Sequence, residues 1–333
     1  MTTPPGLPLW PLQPTPHRKS SERSSATWQV CRHPEGPAMQ DHPYRKAPPG
    51  FTPIQREQFD RDGLLVLENA LTEDETGCYL DAIDRSVASD AKFKRDQFYS
   101  RENIVELDPV FSELIDHPRH VGFVYDFFGE LLKLHVSQFF IRPRDGAYNL
   151  WHPDGARAVP YGVFSPDLPL QIKIGIWLTD LPTPKMGNLV MRPGSQREQY
   201  FEGYDTHDSF PDEKVLCVPP GAMTIMNGNV WHRVEPNESD TVRKNIFLAY
   251  CPSWVVQADR LQSNPEWLRT LNREQRIIMR SYNYAYDHTK PPKDDFPLFL
   301  DRETGLDHDE GIYGSHVENH RRKRKLTHES SIG

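Results

Sequence analysis

The chain has 333 residues, room for one large domain or two small ones. A net charge of −8 argues against a protein that coats nucleic acid. A mean hydropathy of −0.69, with no apolar run approaching about 18 residues, argues against a membrane span.

Residues 1–50 are rich in Pro, Ser, Arg and His and show no sustained period, which predicts a disordered extension. Met1-Thr2-Thr3-Pro4-Pro5 lacks the charged and apolar regions of a secretory signal. Cys31, Cys78, Cys217 and Cys251 form no C-x-x-C pair. Reduced thiols in a cytoplasmic protein are the simplest expectation.

Residues 51–300 are expected to form a single domain. Thr52-Pro53 places a cap and a first-turn proline before a short helix ending near Gly63. Leu64–Leu67 is a predicted strand. Thr72 with Glu75 makes a capping box for a helix through about Val87. A further helix is expected from Pro118 to Phe128, stopped by Gly129. From Leu132 to about Pro252 the pattern changes to short strands broken by Pro/Gly turns. Helices followed by a run of strands predict an α+β, mainly β fold, with the strands curled into a sandwich or barrel. A jelly roll with flanking helices fits the length. A last helix, about 265–281, starts at Asn264-Pro265 and is expected to cover one end of the sheet. Residues 301–333 read as a charged tail whose basic run, Arg321–Lys325, is a solvated end or a nucleic-acid signal.

Within the strand region, His152-Pro153-Asp154 is followed by His232 and then Arg243. Two histidines and one carboxylate can fill one face of an octahedral iron and leave the other face open, the donor set of non-haem Fe(II) oxygenases. With 14 His and 47 Asp+Glu, roughly two His-x-Asp/Glu pairs arise by chance, so context decides. A second pair, His308 and Glu310, lies in an acidic stretch that reads as surface. The first follows the apolar run Leu134–Ile141 and a Pro-Arg-Asp-Gly turn, so it stands next to a predicted core. Residues two apart on a strand project to one face, so His152 and Asp154 can serve one metal. His232 lies in a strand-turn-strand segment that an antiparallel pairing can bring alongside.

Arg243 opens a period-2 strand on which Arg243, Asn245, Phe247 and Ala249 share a face. A guanidinium inside a barrel needs a carboxylate partner. The distal carboxylate of 2-oxoglutarate would supply one in a bidentate pair. In Gln171–Leu178 the even positions are aliphatic, while Gln171, Lys173, Gly175 and Trp177 form a polar, aromatic face. Lys173 there reads as solvent-facing. Gln138 interrupts an apolar strand and needs a partner if buried.

These segments resemble the phytanoyl-CoA dioxygenase family of Fe(II)/2-oxoglutarate oxygenases over about residues 57–252. The signposts are Asp60–Leu71, Trp151-His152-Pro153-Asp154-Gly155, Gly187–Ser195, and Trp231-His232 with Arg243. The resemblance implies a double-stranded β-helix, a cupin-like jelly roll. It implies iron on His152, Asp154 and His232, 2-oxoglutarate on Arg243, and O2 as oxidant. Gln138 and Trp177 would lie against the co-substrate. A small organic substrate would be hydroxylated or otherwise oxidised at a C–H, with release of succinate and CO2. Asp154 favours this over halogenation, for which a Gly or Ala would open a halide site. Gly187-Asn188 departs from the Gly-Pro or Gly-Cys of many members. A lysine that contacts 2-oxoglutarate in some members has no equivalent near Tyr99–Asn103. The insertion Arg157–Pro169 would shape the substrate mouth, with Arg142, Arg144, Arg157 and Tyr161 close to it.

Two other readings compete. One is a non-catalytic, cupin-like binding or regulatory protein whose pocket holds a small acid. The other is a nucleic-acid demethylase, suggested by the basic tail and opposed by the net negative charge. The sequence leaves the oligomeric state open.

Overall fold

The computed structural model describes residues 44–146, 148–155, 164–166, 168–200, 206–280, 295, 297–300 and 302. The basic run at Arg321–Lys325, the His308/Glu310 pair, and Arg157 and Tyr161 of the insertion lie outside them.

Helix α1 (Pro53–Asp62) begins with a complete capping box between Thr52 and Gln55. It ends at Gly63, whose φ of +74° is the left-handed conformation that glycine adopts without a Cβ penalty. Strand β1 (Leu64–Leu67) follows at once. Helix α2 (Glu73–Val87) has the expected Thr72/Glu75 box. It carries a half-buried Cys78 that is disulfide-bonded, against the expectation of reduced thiols, whereas Cys217 and buried Cys251 are free. Helix α3 starts at Val121 rather than Pro118 and runs to Phe128. His120 precedes it with φ −133° and bonds to the Tyr250 hydroxyl, so helix begins only after this anchor.

The remaining strands are β2 (Tyr99–Glu102), β3 (Leu132–Arg142), β4 (Asn149–His152), β5 (Ile172–Trp177), β6 (Leu189–Met191), β7 (Lys214–Val215), β8 (Met223–Asn227), β9 (His232–Val234) and β10 (Arg243–Pro252). They form a six-stranded sheet, β1-β8-β5-β10-β3-β2, and a four-stranded sheet, β4-β9-β6-β7. Every pairing between these strands is antiparallel. This is the jelly-roll architecture with flanking helices.

The large sheet has two different faces. Ile172, Ile174, Ile176, Ile246, Leu248 and Tyr250 pack outward with α2 and α3 in one core. Leu64, Trp177, Met226 and Phe247 point the other way and meet Leu189 and Met191 of the small sheet in a second core. The functional groups sit in that inner layer.

Two boundaries differ from the sequence expectation. Ordered contacts begin ahead of residue 51: Ala47 is buried and donates its backbone N–H to Leu300, and Arg45 pairs with Asp116. The expected helix at 265–281 is two pieces, α4 (Pro265–Leu268) and α5 (Arg273–Met279). Asn272 and Gln275 form a capping box at the start of α5, which favours a fresh start over continuation. Among the described residues no helix is long and apolar enough to cross a membrane.

Candidate active site

Strand alternation assembles the site. Trp151 is buried on the outer side of β4, packed with Val190, Trp231 and Phe210, and its indole N–H donates to the Asp208 carbonyl. Trp231 is anchored the same way on the Glu198 carbonyl. With both tryptophans fixed outward, their neighbours His152 and His232 must turn inward. The antiparallel register pairs His152 directly with His232. Their ring centroids lie 4.4 Å apart.

Asp154 stands just past the end of β4 rather than on it, yet reaches the same point. Its Oδ1 is 3.9 Å from His152 Nε2 and its Oδ2 is 3.5 Å from His232 Nε2. One donor atom from each of the three residues falls within 4.8 Å of the others. Each histidine directs Nδ1 to a backbone carbonyl, His152 to Leu150 at 2.7 Å and His232 to Val230 at 2.9 Å. A protonated Nδ1 in that contact leaves Nε2 with its lone pair free for a metal. His232 is held neutral: burial, reinforced by His152 and Lys173 and opposed by Asp154, brings its pKa to about 3. Burial alone would raise the Asp154 pKa, but Lys173 and the two histidines outweigh it and keep the carboxyl well below the usual carboxylate range. Asp154 Oδ2 is ion-paired with the Lys173 ammonium. Two imidazole nitrogens with free lone pairs and one carboxylate, converging on one point, fit a divalent iron, which takes N and O donors on one face.

A second group lies deeper, on the inner face of β5 and β10. Arg243 is 2 % exposed and donates from Nη1 to the Gly187 carbonyl. Its guanidinium carbon is 5.7 Å from the Trp177 ring centre. Its Nε is buried without an acceptor. Burial, with a smaller contribution from Arg142 and opposed by Asp145, pushes its pKa down to about 9. A guanidinium stays charged at that value, so the shift measures an uncompensated buried cation. Beside it Asn245 is fully buried with both side-chain polar atoms unpartnered. Trp177 donates its indole N–H to Thr224 Oγ1 at 3.2 Å. Gly175 separates Trp177 from Lys173 on this face. A Cβ there would stand 2.4 Å from Thr224 Oγ1 and 2.8 Å from the Phe247 ring. A dicarboxylate reaching from the metal to Arg243 would meet the open donors of Arg243 and Asn245.

Each expected residue is on the inner face. Gln138 lies opposite Phe247 and is half-buried. The reading of Lys173 as solvent-facing is corrected: it is 12 % exposed and its ammonium is ion-paired with Asp154. Its alternation with Trp177 was the available signal, since a buried Trp on one face brings its i−4 neighbour along. Asn245 was recognised as sharing the Arg243 face but not as a site residue. Of the arginines expected at the mouth, Arg142 is buried and paired with Asp145 at 3.4 Å, and Arg144 pairs with Asp240.

The model of the phytanoyl-CoA dioxygenase (PhyH) family matches residues 59–245, more than half of the chain. An ectoine dioxygenase of Nocardia farcinica is 25% identical over 237 residues, 59% of this chain and 76% of that protein. Among solved structures, HygX from Streptomyces hygroscopicus with nickel and 2-oxoglutarate bound aligns with a TM-score of 0.53 at 20% identity, over 62% of this chain and 89% of that one. The non-heme alpha ketoglutarate dependent carbocyclase SnoK from nogalamycin biosynthesis aligns at 0.51 and 19% identity, over 67% and 91%. Family, metal-competent triad and fold agree: the chain belongs to the phytanoyl-CoA dioxygenase family and is an Fe(II)- and 2-oxoglutarate-dependent dioxygenase.

Proposed function

We propose that His152, Asp154 and His232 hold the iron, that Arg243 pairs with the distal carboxylate of 2-oxoglutarate, and that a small organic substrate is oxidised at a C–H above the metal. Iron and 2-oxoglutarate, when bound, supply the activation of O2, with succinate and CO2 as co-products. The chain's residues supply position and exclusion of water. Asn245 offers a donor and an acceptor beside Arg243, Trp177 and Phe247 wall the co-substrate, and Gln138 flanks it.

The observation that carries this reading is the direct pairing of His152 with His232 next to Asp154, above a buried arginine with an open donor. It is tested by anaerobic titration of the metal-free protein with Fe(II) and 2-oxoglutarate, following the weak visible charge-transfer band. A band that Asp154→Ala abolishes, and that needs more 2-oxoglutarate in Arg243→Ala, supports it. Absence of a band in folded wild-type protein overturns it.

Nucleic acid is not among the partners we propose, given the net charge of −8; salt-sensitive DNA or RNA binding would reverse that. The free thiols of Cys217 and Cys251 support a reducing, cytoplasmic setting, while the Cys78 disulfide points the other way. Thiol labelling in intact cells decides between them.

A further inference from the structure

We propose that Lys173 is the substrate-recognition cation of this site and that the substrate carries a carboxylate. The inference rests on the dioxygenase reading above.

Lys173 projects from near the start of β5 into the inner layer. Among the described residues its ion-pair partner is Asp154, and its ammonium lies 4.9 Å from the centre of the Phe247 ring. In the metal-free protein this pair is self-sufficient, because each charge answers the other. With Asp154 ligating iron, its charge is taken up by the metal. The formal charges of iron(II), the Asp154 carboxylate, the 2-oxoglutarate dianion and the Arg243 guanidinium then cancel. Arg142 and Asp145, beside Arg243, form a neutral pair of their own. Lys173 is left as a surplus cation at 12 % exposure. A buried charge without a counter-charge is unfavourable, so the site favours an anion beside it.

The distal end of 2-oxoglutarate does not answer it. Lys173 and Trp177 are four positions apart on β5, about 13 Å along the strand. Arg243 lies against Trp177, so the two cations address different groups. Lys173 also stands nearer to solvent than Arg243, at 12 % exposure against 2 %. Two positions before Lys173 on the chain, Gln171 Nε2 and His135 Nδ1 are 2.9 Å apart, and Gln171 Oε1 is buried without a partner. A carboxylate-bearing molecule entering the site would place its anion on Lys173 and its carbon skeleton over the metal. The charge balance makes binding ordered: the substrate anion is welcome only after metal and 2-oxoglutarate have released Lys173 from Asp154.

The test uses the full chain under anaerobic conditions, with Fe(II) and saturating 2-oxoglutarate, and butyrate and butyramide as isosteric probes. Binding is read as a shift of the charge-transfer band; loss of the band would instead report displacement of 2-oxoglutarate. Butyrate is expected to shift the band at concentrations at least tenfold below butyramide. Lys173→Met should erase that preference, and Lys173→Arg should keep it. Lys173→Gln serves in place of the Met variant if that one fails to fold. By calorimetry, butyrate should bind the loaded protein and not the metal-free one. Equal binding of acid and amide, or an acid preference that survives in Lys173→Met or Lys173→Gln, overturns the proposal while leaving the dioxygenase reading intact. Absence of the band in wild type removes the reading on which it rests.

Discussion

The two faces of the central strands β5 and β10 are built from the same backbone and follow opposite rules. Outward, Ile172, Ile174, Ile176, Ile246 and Leu248 are all fully buried among the helices, and each contributes about 1.5–3 kcal/mol of burial. Inward, the same strands carry Lys173, Gly175, Trp177, Arg243 and Asn245, with buried polar atoms that find no partner in the protein. One face closes on itself. The other is complete only when something else enters. The lesson is that on β10 the buried unsatisfied groups, on Arg243 and Asn245, lie on the functional side, where a ligand rather than a neighbour can partner them.

Substitutions on the two faces should therefore separate stability from ligand binding. The largest effect is expected from Asp154→Ala, which removes the anionic metal ligand: the charge-transfer band and 2-oxoglutarate turnover should both be lost, as read by optical titration and succinate release. Ile174→Ala breaks the opposite face. It should lower unfolding free energy by about 2–5 kcal/mol in chemical denaturation, while 2-oxoglutarate affinity in the folded protein stays unchanged. Arg243→Met sharpens the contrast. Its 2-oxoglutarate affinity should fall about a hundredfold or more, as for truncating one partner of a buried charge pair. Without co-substrate its melting temperature should match or exceed wild type, because an uncompensated buried charge is gone. A lower melting temperature in Arg243→Met would show that the guanidinium is structural.

A smaller effect concerns pH. His135 is the extra residue at a bulge of β3 opposite Ala249–Tyr250, and it is 3 % exposed. Burial, with help from Lys133 and Arg260, lowers its pKa to about 4 from 6.5. The unfolded chain thus takes up a proton below pH 6.5 that the folded protein refuses until about pH 4. Stability from this group is fully present above the unfolded value and declines as pH falls through that window, by about 3 kcal/mol in total. Denaturation midpoints at pH 7 and pH 5 should show the decline, and His135→Gln should reduce it, leaving the part that buried His232 contributes in the same direction.

Much of this was legible in the chain itself. The cap that begins α1 could be read from Thr52-Pro53, and the capping box of α2 from Thr72 with Glu75, because caps depend on residues close in sequence. The two-sided pattern of Gln171–Leu178 and Thr241–Pro252 was equally local, since alternation is a property of a strand alone. The triad and Arg243 were recognisable as an ordered set. The break between α4 and α5 was present in Asn272 and Gln275, but the longer apolar pattern concealed it.

What only the tertiary structure decided is which face is inside. Alternation says that Lys173 and Trp177 go together; it does not say whether they meet water or a second sheet. That follows from the layering of β4 and β9 over β5 and β10, between segments distant in sequence. The same long-range closure places Asp154 against Lys173 and leaves Asn245 without a partner beside Arg243. Local chemistry named the ligands for the metal. The pairing of the sheets determined which other charges they would face, because burial and charge compensation belong to the assembled fold and not to any one strand.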